Sequence, residues 1–263
     1  MKPLAAIDRE VLRALRGLLF DLDDTFLSHG TLTRAAYDAL WDMRDAGLRL
    51  IAVTGRPSGW GEVIARQWPI DGAVTENGAV HVVRDGGGVA RRERCDEAER
   101  RARRIRLAQL VARVHEVVPE ARLSDDVDAR RSDVTWDVGE RVRLPEDRVA
   151  AIVAEIRAAG ARTTQSSVHL HATYDADDKA SGALEFLRAR FGEDAGSAVA
   201  AYAFVGDSAN DAACFAAFRT TFGVANVRAH VGKMSVPPRW VASKPMGEGF
   251  AEIGRAIVAA RSQ

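Results

Sequence analysis

Leu18-Leu19-Phe20, followed at once by Asp21-Leu22-Asp23-Asp24-Thr25, is the stretch that decides the fold of this chain. A short apolar run that breaks abruptly into carboxylates reads as a buried strand delivering acidic groups to its C-terminal end. Thr33 then caps a helix whose Ala36, Leu40 and Met43 share a face, with Gly47 as the residue just past its end. Leu48 to Val53 reads as a second buried strand, running into Thr54-Gly55-Arg56. A β-α-β unit of this length implies a right-handed crossover and therefore a parallel sheet.

Working outward, Ile7, Val11, Leu12 and Leu15 fit a short amphipathic helix ending at Gly17. On the other side come a helix around Trp60 to Gln67, strands within Ala73 to Val83, and a turn at Asp85-Gly86-Gly87-Gly88. The texture then changes. From Arg91 to Arg106 arginine alternates with acidic residues, and the run reads as the charged surface of a helix that buries Ile105, Leu110, Val111, Val114 and Val118 before Pro119 stops it. Strands near Arg122 and over Asp133 to Val138, a helix from Pro145 to Ala159, and strands over Arg162 to Gln165 and Val168 to Thr173 complete an α-β-β-α-β-β block. The first texture resumes with a helix after Lys179 and the strand Ala201 to Val205, which runs into the loop Gly206 to Asp211. The expectation is an α/β protein with a Rossmann-like parallel-sheet core from residues 1–83 and 177–263, and an inserted α+β domain from 84–176.

The bulk composition excludes more than it specifies. Lys plus Arg number 37 and Asp plus Glu number 37, so net charge supplies no attraction to nucleic acid or to a membrane surface. No stretch approaches the roughly 20 apolar residues needed to cross a bilayer, and the N-terminus lacks the uninterrupted apolar run of a signal peptide. Cys95 and Cys214 stand far apart, outside any ligand spacing, and read as thiols in a reducing cytoplasm.

In open parallel sheets ligands bind where the strands end, and three loops meet that condition: Asp21 to Thr25, Thr54 to Arg56 and Gly206 to Asp211. Each has a plain alternative when taken alone: a solvated turn for the first, a bare strand end for the second, turn chemistry with Asp211 capping a helix for the third. Taken as an ordered set on one sheet edge, with Lys179 opening a helix nearby, they supply what carboxylate attack on a phosphate needs. At 4 Å and an effective dielectric of about 20, each like-charge pair repels by roughly 4 kcal/mol, so a cation is required. Mg²⁺ takes oxygen ligands from one or two carboxylates, a demand met by Asp21 and Asp207, while Asp211 can hold a metal-bound water or support the others. Lys179 adds positive charge, Thr54 and Asn210 add uncharged donors, and Asp23 is spaced to move a proton at the leaving oxygen.

The set Asp21-Leu22-Asp23-Asp24-Thr25, Thr54, Lys179 and Gly206-Asp207-Ser208-Ala209-Asn210-Asp211 resembles the four motifs of the haloacid dehalogenase superfamily of phosphohydrolases. Thr75-Glu76-Asn77-Gly78-Ala79 and the α-β-β-α-β-β insertion are similar to the type IIB group, which contains Cof-like, sucrose-phosphate and mannosyl-3-phosphoglycerate phosphatases. The resemblance implies Asp21 as nucleophile and Asp23 as general acid and base. It implies Thr54, Gly55, Lys179 and Asn210 as phosphate-binding residues, and Asp21, Asp207, Asp211 and the Asp23 carbonyl as the Mg²⁺ site. Asp24 departs from the pattern, standing where many relatives carry glycine.

The expected activity is Mg²⁺-dependent hydrolysis of a small phosphate monoester, with a sugar phosphate as the expected substrate. A phosphomutase of the same superfamily is the neighbouring alternative, and a phospho-accepting signalling module the alternative from another class. In the insertion, His169 and His171 alternate onto one strand face and read as a polar solvent face, with substrate contact as the alternative; Arg130, Arg131 and Trp136 are similar candidates.

Overall fold

The computed structural model describes residues 1–166 and 168–261. Its strands follow the chain as β1 (Lys2–Pro3), β2 (Gly17–Phe20), β3 (Arg49–Val53), β4 (Gly72–Thr75), β5 (Val80–Asp85), β6 (Gly88–Glu93), β7 (Arg122–Leu123), β8 (Asp133–Asp137), β9 (Arg162–Gln165), β10 (His169–Thr173), β11 (Tyr202–Gly206), β12 (Thr220–Gly223) and β13 (Trp240–Val241). They make two sheets. The larger has nine strands in the order β1-β13-β12-β11-β2-β3-β4-β5-β6. It is parallel from β1 through β4 and ends in antiparallel pairings of β5 and β6. The smaller sheet is antiparallel, in the order β7-β8-β10-β9.

The central strands are apolar throughout because both of their faces are covered. Leu18, Phe20, Leu50 and Val205 pack on one face with Phe26, Leu40 and Phe250, while Leu19, Ile51, Val53 and Phe204 pack on the other with Phe186, Leu187 and Phe215. A third apolar cluster belongs to the segment between the two parts of the large sheet. There the helices Glu97–Val117 and Glu146–Ala158 cover the small sheet through Leu107, Leu110, Val114, Ile152 and Ile156, which meet Trp136 and Leu170.

The helix Arg34–Asp45 begins as its sequence dictates, with the Thr33 hydroxyl accepting the Ala36 N–H, and Gly47 follows it at φ 82°. The helix Lys179–Phe191 opens on a reciprocal cap between Asp178 and Ser181, which fixes the direction in which Lys179 leaves it. Its first turn lies against the Glu76–Gly78 turn at backbone contact: a Cβ on Gly182 would fall 2.4 Å from the Gly78 Cα. Only a glycine pair permits that approach, and through it the helix reaches the sheet edge.

Two expectations are corrected. The N-terminal helix is Arg9–Arg13, and Gly17 is not its terminator but the first residue of β2. A Cβ there would meet the Arg49 carbonyl at 2.5 Å and the Tyr202 ring at 2.7 Å, so close packing explains the glycine. The Arg-rich helix begins only at Glu97, capped by Asp96; residues 88–93 are instead β6, paired with β5 across the glycine turn. Ile105 is 56% exposed and Leu107 takes the buried position, while Arg100 is buried against Glu93 and Asp175 rather than lying on a solvated face.

Candidate active site at the carboxyl edge of the sheet

From β2 the chain order runs one way to β3 and the other way to β11, which places a crevice beyond the carboxyl ends of these strands. Asp21 is the first residue past β2, tied there by its N–H donating to the Val205 carbonyl at 2.9 Å. Asp207 follows β11 in the same way, and Asp211 closes the turn after it by accepting the Asp207 and Ser208 N–H groups at 3.0 and 3.1 Å. Lys179 Nζ donates to Asp21 and to Asp211, each at 2.7 Å, and all four side chains are buried.

One ammonium thus faces three carboxylates whose oxygens lie within 4.8 Å of one another. Burial drives the Asp21 carboxyl up to about 7; Lys179 opposes this, and Asp211 and Asp23 reinforce it. Burial, then Asp211, Asp21 and Asp24, also push Asp207 well above the usual carboxylate range. An all-oxygen donor set with this surplus of negative charge fits a hard divalent cation.

The loop from Leu22 to Phe26 winds back through Asp24, which sits in the left-handed region at φ 55°. Glycine adopts that conformation without strain and aspartate tolerates it better than most residues, which accounts for the departure noted in the sequence. Asp23, also lining the crevice, is held by a fork from Arg56, whose Nε lies 2.9 Å and Nη2 2.8 Å from its carboxylate oxygens. Arg56 lies over the Trp60 ring and extends to Asp126 and Glu140 of the inserted segment at 3.4 and 3.2 Å.

Asp21, Asp23, Gly55, Ser208 and Asn210 line one narrow cleft, and Lys179 and Asn210 line a second beside it. Thr54 is fully buried and lines neither; its hydroxyl oxygen accepts the Arg56 N–H at 3.0 Å, which leaves it a proton to donate.

The histidines overturn their expectation. His169 and His171 are each about 2% exposed and face the cleft, because β10 lies over the sheet edge rather than against solvent. Buried imidazoles need partners, and they have them: His169 Nε2 lies 2.8 Å from Glu140 and His171 Nδ1 lies 2.9 Å from Asp133. Arg130 is buried and donates to Asp133 and to the Gly55 carbonyl, Arg131 pairs with Glu93, and Trp136 fills the apolar centre of the insertion.

Asn226 escaped the sequence reading, and Thr25 and Glu76 stand there within motifs but without a role. Asn226 donates to Asp207 at 2.8 Å and to the Asp24 carbonyl at 2.9 Å, and Thr25 donates to Asp207 at 3.2 Å. Asn226 follows β12, a fourth strand ending at the same edge, and that position was its available signal. Glu76, at φ 51° and buried, accepts the N–H groups of Ser58, Arg131 and Ser132 and so clasps the insertion to the core; the sequence marks it only as part of Thr75-Glu76-Asn77-Gly78-Ala79, with no role assigned.

Asp133 makes the insertion's fit to this edge sensitive to acid. Burial alone would raise its carboxyl, but Arg130 and His171 overcome this and hold it at about 2, below its ordinary 3.8. A group depressed on folding stabilises above its unfolded pKa and loses that contribution as pH falls through the folded one. We therefore expect about 2 kcal/mol of stability to vanish between about pH 4 and 2, and to be missing already at neutral pH in Asp133→Asn, as read from urea midpoints across that range.

Residues 18–93 match the family model of haloacid dehalogenase-like hydrolases. No curated protein matches the chain in sequence. Among solved structures, a Thermoplasma acidophilum protein is similar with a TM-score of 0.71 at 16% identity, covering 92% of this chain and 98% of its own. The subclass IIB sugar phosphatase BT4131 gives 0.61 at 17%, over 92% and 96%, and the sucrose-phosphatase of Synechocystis sp. PCC6803, solved with sucrose and phosphate, gives 0.64 at 13%, over 92% and 98%. At such identities the likeness is one of fold, and it takes in the insertion. The sequence match to haloacid dehalogenase-like hydrolases thus spans the strand-end aspartates Asp21 and Asp23, and the fold of the sugar phosphatase and the sucrose-phosphatase is shared over 92% of the chain.

Proposed function

We propose that this protein is a phosphatase that hydrolyses small phosphate monoesters, sugar phosphates in particular, by passing the phosphoryl group through Asp21. The observation that carries the reading is the buried Asp21 carboxylate, 2.7 Å from Lys179 and sharing one cleft with Asp23. An Asp21 oxygen forms a bond to phosphorus as the bond from phosphorus to the leaving oxygen breaks. Asp23 gives that oxygen a proton, then takes one from the water that attacks the aspartyl phosphate and releases inorganic phosphate.

Lys179 neutralises charge on the nucleophile and the phosphoryl group, while Thr54, the Gly55 backbone and Asn210 bind its oxygens. Asp21, Asp207 and the Asp23 carbonyl would hold Mg²⁺, with Asp211 supporting them, and the metal when bound offsets the repulsion between carboxylate and phosphate. Asp211 already gives one oxygen to Lys179 and the other to its own turn, so its part is to hold these groups in place. The segment carrying the small sheet acts as a cap, because Arg56, Arg130 and Glu76 fasten it over the cleft.

The names of the sugar phosphatase and sucrose-phosphatase that share the fold favour a sugar phosphate over other esters. Cys95 and Cys214 are free thiols, which suits a reducing compartment such as the cytoplasm, and no described helix is long and apolar enough to cross a membrane.

The test is phosphate release from a panel of phosphorylated metabolites, with Mg²⁺ and after chelation. Release that requires the metal is expected; no release from any ester would refute the reading. In Asp23→Asn, alkyl phosphates should slow by roughly 10²–10⁴-fold and activated aryl phosphates far less, because a good leaving group needs no proton. Equal losses on both would remove Asp23 from the role of acid.

A further inference from the structure

Opposite Asp21 the insertion presents His171, and the chemistry of that ring is set from behind. Its Nδ1 lies 2.9 Å from Asp133, whose carboxylate also accepts from Arg130 at 3.0 and 3.1 Å. An ionised carboxylate only accepts, so Nδ1 carries the ring proton. Burial is the largest influence on this ring and disfavours its charged form, despite Asp133. The remaining nitrogen, Nε2, is therefore a bare lone pair. It bonds no group among the described residues, and its edge of the ring lies against Gly55, in the cleft shared with Asp21 and Asp23.

A second acceptor meets it there. Asn77 Oδ1 is buried without a hydrogen-bond partner. Its residue is held in the left-handed region at φ 53°, with its own N–H donating to the Thr54 carbonyl at 3.1 Å. A Cβ placed on Gly55 would sit 3.2 Å from Asn77 Oδ1 and 3.3 Å from His171 Nε2. Glycine leaves open the place where the two acceptors converge. Asn77 Oδ1, buried without a donor, is unfavourable as it stands, and the His171 lone pair beside it faces the cleft, so the place calls for a donor.

The neighbouring cations are already engaged. Arg56 binds Asp23, Asp126 and Glu140; Lys179 binds Asp21 and Asp211; Arg162 donates to the Asp175 and Asp177 carbonyls.

We propose that His171 and Asn77 are specificity-determining residues, an acceptor pair that receives a hydroxyl of the leaving group and rejects a carboxylate in its place. Asp133 is the positioning residue that keeps the His171 lone pair turned toward the cleft. The inference rests on the phosphatase reading and adds to it a rule for which esters are accepted: neutral and hydroxylated next to the ester, as in polyol and sugar monophosphates.

The test compares kcat/KM on matched esters with Mg²⁺: glycerol 1-phosphate against propyl phosphate, hexose 6-phosphates against their deoxy forms, and phosphoglycolate as the carboxylate. Wild type should favour the hydroxylated partner by about tenfold, the scale of one good hydrogen bond, and phosphoglycolate should be the poorest substrate. His171→Phe, which keeps a ring but removes the acceptor, should bring that ratio close to one, mainly through KM. Gly55→Ala should do the same by filling the open place while both acceptors remain, and thermal melting verifies that each variant is folded. Asp133→Ala should lower the ratio as well, and nitrogen NMR should find the His171 proton shared between both ring nitrogens instead of confined to Nδ1. A wild type that hydrolyses 4-nitrophenyl phosphate but treats paired esters alike overturns the acceptor pair and leaves the phosphatase reading standing, as does a ratio unchanged in both His171→Phe and Gly55→Ala. A wild type inactive on every ester, 4-nitrophenyl phosphate included, overturns the phosphatase reading and the acceptor pair with it.

Discussion

Asp21→Asn is expected to abolish phosphate release, lowering turnover by roughly 10⁴-fold or more while the protein stays folded. The carboxamide has the shape of the carboxylate but not its nucleophilicity, so no covalent intermediate can form. Folding should survive because the native site is over-supplied with negative charge: Asp21 is pushed up to about 7 by burial and by its acidic neighbours. A carboxyl raised on folding contributes stability that is complete below its unfolded pKa of about 4 and is lost as pH rises through about 7. The neutral amide removes that pH dependence. Without Mg²⁺ at pH 8 the variant should therefore melt no lower than wild type, and the two curves should draw together toward pH 4. Phosphate release paired with thermal melting across this range decides the matter; a variant that is folded and retains wild-type turnover would exclude Asp21 as nucleophile.

Lys179→Met should damage both folding and chemistry. Its ammonium lies 2.7 Å from Asp21 and from Asp211, and among the described residues it is the cation that bonds this cluster. Removing one partner of a buried ion pair costs about 3–5 kcal/mol, because the carboxylates left behind are neither solvated nor paired. Turnover should fall by roughly 10²–10³-fold as well, through loss of charge stabilisation in the transition state. The stability loss should be largest at high pH, shrink as the carboxylates take up protons on acidification, and shrink on adding Mg²⁺. Denaturant midpoints at pH 5 and pH 8, with and without the metal, check all three. A variant as stable as wild type at pH 8 without metal would mean that the pair contributes nothing to the fold.

How much of this could be read from the sequence depended on whether a residue's task is local. Leu18 to Asp24 announced a buried strand ending in acid because strand burial and strand end are both properties of neighbouring residues. The loops at Thr54 and Asp207 followed by the same logic, and the structure brings both to one edge beside Lys179. Arg100 and Gly17 were misread because their reasons lie far along the chain, in Asp175 for one and in Arg49 and Tyr202 for the other. His169 and His171 alternate with apolar residues as a half-exposed strand does; only the position of β10 over the sheet edge turns their face from solvent to cleft. Glu76 and Asn226 link distant segments: a strand end marks the place of Asn226 and a family-like phrase that of Glu76, but the partners that give each its task lie far along the chain.

Phosphoryl transfer through Asp21, as proposed, would leave a chemical trace that can be isolated. Wild-type protein mixed with a radiolabelled phosphate ester and Mg²⁺, then quenched in acid within one turnover, should carry the label on the peptide that contains Asp21. The label should be absent from Asp21→Asn and should disappear on chasing with unlabelled ester at the rate of turnover. Phosphate released at full rate with no label on the protein, or with the label on any other residue, would contradict the assignment of Asp21.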